Sequence, residues 1–235
     1  SINNGSSAFI SSGTHSSEAF EVIFNDKDSK KVNKSKDVDN VLLSAVNFYG
    51  PDVTSEDVES FYAEVTSPDP TKPLSHGLNS KLVKEDGVLK EIVYKSGGLY
   101  GAAIDEIIKW LDLAAGVAEN KPQEDALRLL IEYYKTGDLQ TWDDYNVAWT
   151  AATDGNIDYI NSFIEVYNDP LGYRGSYETI VQINDFDMSR KMSVLSENAQ
   201  WFEDNSPLID EHKKDTVVGV TYKTVNVAGE AGDAS

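Results

Sequence analysis

The residues of this chain whose types and spacing bear most on chemistry lie between Trp149 and Glu178, above all in Asn161 to Glu178, NSFIEVYNDPLGYRGSYE. From Tyr159 the side chains alternate as in a strand. Ile160, Ser162, Ile164 and Val166 are expected on one face and Phe163, Glu165 and Tyr167 on the other. Asp169, Pro170 and Gly172 supply turn chemistry, and Tyr177, Thr179 and Val181 restart the alternation, so the stretch reads as two strands and a tight connection. A pairing symmetric about that turn predicts Glu165 opposite Glu178. Two facing carboxylates repel unless a cation, a proton or a ligand ammonium lies between them, so the pair is a candidate binding site for a cationic group. Solvated hairpin glutamates are the bland alternative, and a slip of one residue would send the two to opposite faces.

Trp149, then Ile164 and Glu165 within FIEVYNDPLGYRG, then Glu178 resemble, without a gap, the substrate-binding segment of the dipeptidyl peptidase III family, zinc exopeptidases that remove dipeptides from peptide N-termini. The resemblance runs from about Val41 to the C-terminus and includes GLNSKLV (Gly77 to Val83), YYKTGD before Leu139, and NAQWFED (Asn198 to Asp204). It implies that Glu165 and Glu178 receive a substrate's N-terminal ammonium, that Tyr167 contacts the scissile region, and that Ile164 and Trp149 line the cleft. The expected partners are therefore short peptides with a free N-terminus. The resemblance is mainly to the lower, peptide-binding lobe, which in that family holds a small β-barrel with helices around it. It leaves 185–207 as a helical excursion toward an upper lobe. The Pro- and Asn-rich binding segment and the zinc-bearing lobe of the family would come after Ser235, so zinc is expected in a full-length enzyme, not in this chain, which should be inactive alone. A non-catalytic peptide-binding or interaction module that keeps the scaffold is the alternative.

Other chemistries find little support. His15, His76 and His212 lie far apart, and there is no HExxH helix to hold zinc and activate water. No G-x-S-x-G elbow or phosphate loop occurs, and a glycosidase reading rests on Glu165 and Glu178 alone. Forty acidic against twenty basic residues give a net charge of −20, which repels polyanions such as nucleic acid. With no cysteine there are neither disulfides nor thiolate chemistry, which fits a reducing, cytoplasmic setting without fixing the compartment. No apolar run has the length of a membrane span, and a soluble protein is expected.

The elements that must position these residues can be read in order. Residues 1–36 are expected to form a loose lead-in with a strand, and 37–235 an α+β lobe. Val38 to Tyr49 follows helical spacing, and Thr54 opens another helix with the capping pattern TSED and the stripe Val58, Phe61, Tyr62 and Val65. Leu78 to Tyr94 reads as a hairpin about Asp86-Gly87 whose strands join the sheet of the central hairpin. Three helices follow. The first carries Ile104, Ile107, Ile108, Leu111, Ala115 and Ala118. The second runs from Pro122 to Gly137, and the third carries Trp142, Tyr145, Asn146 and Trp149. Met188 to Phe202 is a further helix, Val217 to Val227 the final strand, and GEAGDAS a trailing end. The expected fold is α+β, with about five strands in a small mixed or antiparallel sheet or barrel surrounded by about six helices.

Overall fold

The computed structural model describes residues 30–65, 67–218 and 223–232. These residues contain six α-helices, one short 3-10 helix (Asp210–His212) and five strands, an α+β fold. The helices are α1 (Ser55–Ala63), α2 (Gly101–Ala115), α3 (Lys121–Thr136), α4 (Leu139–Ala151), α5 (Phe186–Glu197) and α6 (Ala199–Asp204). The strands are β1 (Ser80–Glu85), β2 (Val88–Val93), β3 (Ile157–Glu165), β4 (Ser176–Asn184) and β5 (Val225–Gly232). They divide into two antiparallel sheets, β1-β2 and β3-β4-β5, so the first hairpin does not join the sheet of the second and no barrel closes among the described residues. The expected strand in 1–36 falls largely on residues outside those described. No helix among them is long and apolar enough to cross a membrane.

Local chemistry explains most boundaries. Thr54 caps α1 with the reciprocal bonds its sequence predicts, its hydroxyl accepting from the Asp57 N–H and the Asp57 carboxylate accepting from the Thr54 N–H. Asn120 caps α3, Pro122 sits in its first turn, and Gly137 closes it in the left-handed conformation at φ 73°. Asp138 then starts α4 by accepting the Thr141 N–H at 2.8 Å. Asp86 (φ 51°) and Gly87 (φ 80°) make the left-handed two-residue turn that joins β1 to β2.

Val38 to Tyr49 is not a helix. The Asp39 carboxylate accepts the Val41 and Leu42 N–H groups at 3.0 and 2.9 Å and also the Ser55 N–H and hydroxyl. One turn is thereby folded back onto the start of α1. Beyond it the chain runs beside β1, where the Phe48 carbonyl accepts from Leu82 and the Leu82 carbonyl from Gly50. Those backbone bonds outweigh the weak helical preference of the segment. The final strand also departs from expectation. Residues 217–218 and 223–224 lie outside β5, which takes in Gly229 to Gly232 of the expected trailing end, and 219–222 lie outside the described residues.

Two apolar cores hold the fold. In one, Ile104, Leu130, Tyr133, Tyr134, Trp142 and Tyr145 of α2, α3 and α4 pack on Phe163 of β3. In the other, Val58 and Tyr62 of α1 meet Leu82 of β1, with Val41, Tyr49 and Val53. Each fully buried large apolar side chain stabilises by about 1.5–3 kcal/mol relative to exposure. Helices α5 and α6 bury no residue, and Phe186, Val194, Trp201 and Phe202 are 50% or more exposed on them.

Candidate functional site

The β3–β4 ladder fixes where the two candidate carboxylates stand. Ser162 pairs with Glu178 and Phe163 with Tyr177, but the next pair is Glu165 with Ser176, because an extra residue bulges between Phe163 and Glu165. Glu165 is therefore not opposite Glu178, as a symmetric hairpin would place it. The bulge has a second consequence. Faces alternate with register, so Glu165 shares the face of Ser176, which is also the face of Glu178, and it leaves the face of Phe163 on which unbroken alternation would put it. The two glutamates are diagonal neighbours, a relation that sets side-chain origins about 7–8 Å apart. Glu165 is exposed and Glu178 buried.

The remaining candidates spread around this pair. Tyr167 is 54% exposed just past the end of β3. Ile164 lines a groove of about 630 Å³ with Tyr62, His76, Trp142, Asn146 and Tyr173. Trp149 lines a different one, of about 970 Å³, where its indole N–H donates to Asp158 at 3.1 Å. The hairpin thus brings Glu165 and Glu178 to one face, while Ile164 and Trp149 line separate grooves.

What holds the connector between the two strands was not legible as a motif. Asp169, read as a turn residue, is 1% exposed. Its carboxylate accepts the Leu171, Tyr173 and Arg174 N–H groups at 3.2, 2.8 and 2.8 Å. The Tyr49 hydroxyl donates to the same carboxylate from the outside of β1, at 2.8 to 2.9 Å. Arg174 is fully buried. Its Nη1 donates to the Gly77 carbonyl at 2.8 Å and the Ser80 hydroxyl at 2.5 Å, and pairs with Glu91 at 3.1 Å. The guanidinium lies against the Tyr49 and Tyr62 rings, 5.3 and 5.1 Å from their centroids. Tyr62 also donates its hydroxyl to Glu91. An arginine between a tyrosine and a glycine carries no sequence signal of such burial.

The electrostatics follow the contacts. Burial disfavours the Glu91 carboxylate, but the hydrogen bonds from Ser80 and Tyr62 and the Arg174 charge together hold its carboxyl below the usual range. Burial pushes the Tyr49 hydroxyl far above its ordinary value, and the Asp169 charge pushes it further. Burial likewise raises the Tyr62 hydroxyl, so both phenols stay protonated donors. Among the described residues no three His, Asp or Glu side chains converge as metal ligands, and His76 meets Ser67 at 3.2 Å.

The comparisons with known proteins agree with one another. A family model described as "Peptidase family M49" matches residues 11–232. The dipeptidyl peptidase 3 of Mus musculus is 26% identical over 199 residues, 83% of this chain and 27% of that protein. That of Dictyostelium discoideum is 30% identical over 122 residues, 52% of this chain and 17% of its own length. Among solved structures, DPP III from Caldithrix abyssi superposes with a TM-score of 0.62 at 24% identity, over 80% of this chain and 35% of that one. Dipeptidyl-peptidase III from Corallococcus sp. strain EGB gives 0.55 at 21% identity, over 80% and 34%. The chain spans about a quarter or less of the length of these two curated relatives and about a third of the solved structures.

Proposed function

Because the chain belongs to peptidase family M49, we propose that it forms the peptide-binding side of a dipeptidyl peptidase III-like cleft, in which Glu165 and Glu178 receive the N-terminal ammonium of a short peptide. The observation that carries this reading is the bulge between Phe163 and Glu165, which turns Glu165 onto the face of Glu178. A diagonal pair suits a bound ammonium better than a directly opposed one. Its separation lets one –NH3+ reach both carboxylates, each through a charge-assisted hydrogen bond, and it lessens their repulsion when the site is empty. In this reading Tyr167, exposed just beyond the bulge, meets the peptide a residue or two further along, while Ile164 and Trp149 would reach it only from two separate grooves. An anchor on the amine counts residues from the peptide's end, which is what a dipeptide-releasing enzyme requires.

Zinc enters this reading as a cofactor of the whole protein, supplying a polarised water for peptide cleavage. Among the described residues no three His, Asp or Glu side chains converge to hold such an ion. Bond cleavage is assigned to none of them. We read segment 185–207, whose Phe186, Trp201 and Phe202 are exposed, as the part directed toward an upper lobe.

Calorimetry with a free-amine peptide and its N-acetylated twin tests the reading. The free amine should bind more tightly, and Glu165→Gln should weaken it by about 1.5–3 kcal/mol, the scale of one hydrogen bond to a charge. Equal affinity for the two peptides, or an unchanged affinity in the variant, refutes it.

A further inference from the structure

Two motifs that the binding reading leaves unused, GLNSKLV (Gly77 to Val83) and the YRG of Tyr173 to Gly175, meet in space. The Arg174 guanidinium binds the Gly77 carbonyl and the Ser80 hydroxyl, and the Gly175 N–H donates to the Leu78 carbonyl at 2.8 Å. The contact leaves no slack. A Cβ on Gly77 would stand 2.7 Å from Arg174 Nη1, and one on Gly175 would stand 2.8 Å from the Phe163 carbonyl carbon, next to the bulge. On the other side Asp169 gathers three amides of the connector and ties them to Tyr49. Among the described residues the two sheets share no strand pairing, so these side chains join the β1–β2 hairpin to the end of the β3–β4 hairpin.

We infer that Arg174 and Asp169 are positioning residues of the peptide site: by locking the 166–175 connector to the Gly77–Ser80 turn and Tyr49, they set the register that keeps Glu165 and Glu178 on one face. The inference rests on the binding reading above for what the glutamates do. The register itself is the part these residues control. A connector free to slip by one residue would restore unbroken alternation and turn Glu165 to the opposite face. The bulge is the one place in the ladder where such a slip is already half made. It lies against Gly175, whose neighbour Arg174 is held from three sides.

Amide hydrogen exchange and calorimetry on the full chain separate the outcomes, using Asp169→Asn and Arg174→Lys. Asp169→Asn keeps the shape but replaces one of its carboxylate oxygens with an amide donor. Arg174→Lys keeps the charge but loses the guanidinium plane that lies against the Tyr49 and Tyr62 rings. In chains that remain folded, exchange should rise at least tenfold across residues 164–176 and stay within about twofold in α3 and in β1–β2. Affinity for a free-amine peptide should fall at least tenfold, while the weaker affinity for its acetylated twin stays the same. Exchange rising evenly over the whole chain, or not rising in the connector, overturns the inference. So does a locally loosened connector with the free-amine preference intact. If the wild-type chain shows no such preference, the binding reading falls, and the local exchange alone upholds or overturns the claim that these two residues fix the register.

Discussion

Replacing Arg174 with Met tests how the buried charge is held. The guanidinium is fully buried and its partner Glu91 keeps 29% of its side-chain surface in solvent. Removing one member of a buried pair typically costs about 3–5 kcal/mol, mostly because the other charge is left without compensation. Glu91 still accepts from Ser80 and Tyr62 in the variant and is partly wet, so the low end applies, about 3 kcal/mol. Lost contact with the faces of Tyr49 and Tyr62 adds up to about 1 kcal/mol, because methionine keeps part of the packing. The expected loss is about 3–4 kcal/mol, or a fall in Tm of about 6–16 °C for a chain of this size. The sign of a second change separates this account from simple loss of packing. Adding Glu91→Leu removes the orphaned carboxylate, so the double variant should recover at least about 1 kcal/mol relative to Arg174→Met. Urea and thermal unfolding followed by circular dichroism measure both. Two results refute the reasoning: a loss below about 1 kcal/mol for Arg174→Met, or strictly additive losses in the double variant. In either case the pair is not the joint described.

Two further outcomes follow from the same contacts. The Glu91 carboxyl is held below its unfolded range, so its contribution is present above the unfolded value near pH 4.3 and is lost as pH falls through the folded one; Glu91→Gln should flatten the acid limb of a stability–pH curve and leave its slope above about pH 6 unchanged. Gly77→Ala places a methyl 2.7 Å from Arg174 Nη1 and 2.8 Å from the Tyr62 hydroxyl at φ +88°, and should cost about 2–3 kcal/mol in urea unfolding, whereas Gly87→Ala, with open space around it at φ +80°, should cost about 1 kcal/mol.

The sequence by itself determined what depends on neighbours within a few residues. The capping pair Thr54 and Asp57, the Pro122 and Gly137 limits of α3, the Asp138 cap and the Asp86-Gly87 turn all stand where their types place them, because each acts on backbone groups no more than four positions away. The spacing from Trp149 to Glu178 likewise identified the family and located the hairpin. Tertiary structure decided what depends on distant partners. Val38 to Tyr49 has helical spacing but is claimed by Asp39 bonding to Ser55 and by Phe48 pairing with Leu82. The Glu165–Glu178 relation was misjudged by two residues, Glu165 standing opposite Ser176, since neither register nor a bulge leaves a mark in an alternating pattern and both are set by what the strands pack against. Most of all, nothing local tells that Arg174 is buried between two tyrosines rather than solvated like other arginines in loops. Its burial is possible only because Glu91, Ser80 and the Gly77 carbonyl, supplied from more than eighty residues away, compensate a charge that no neighbour in sequence could.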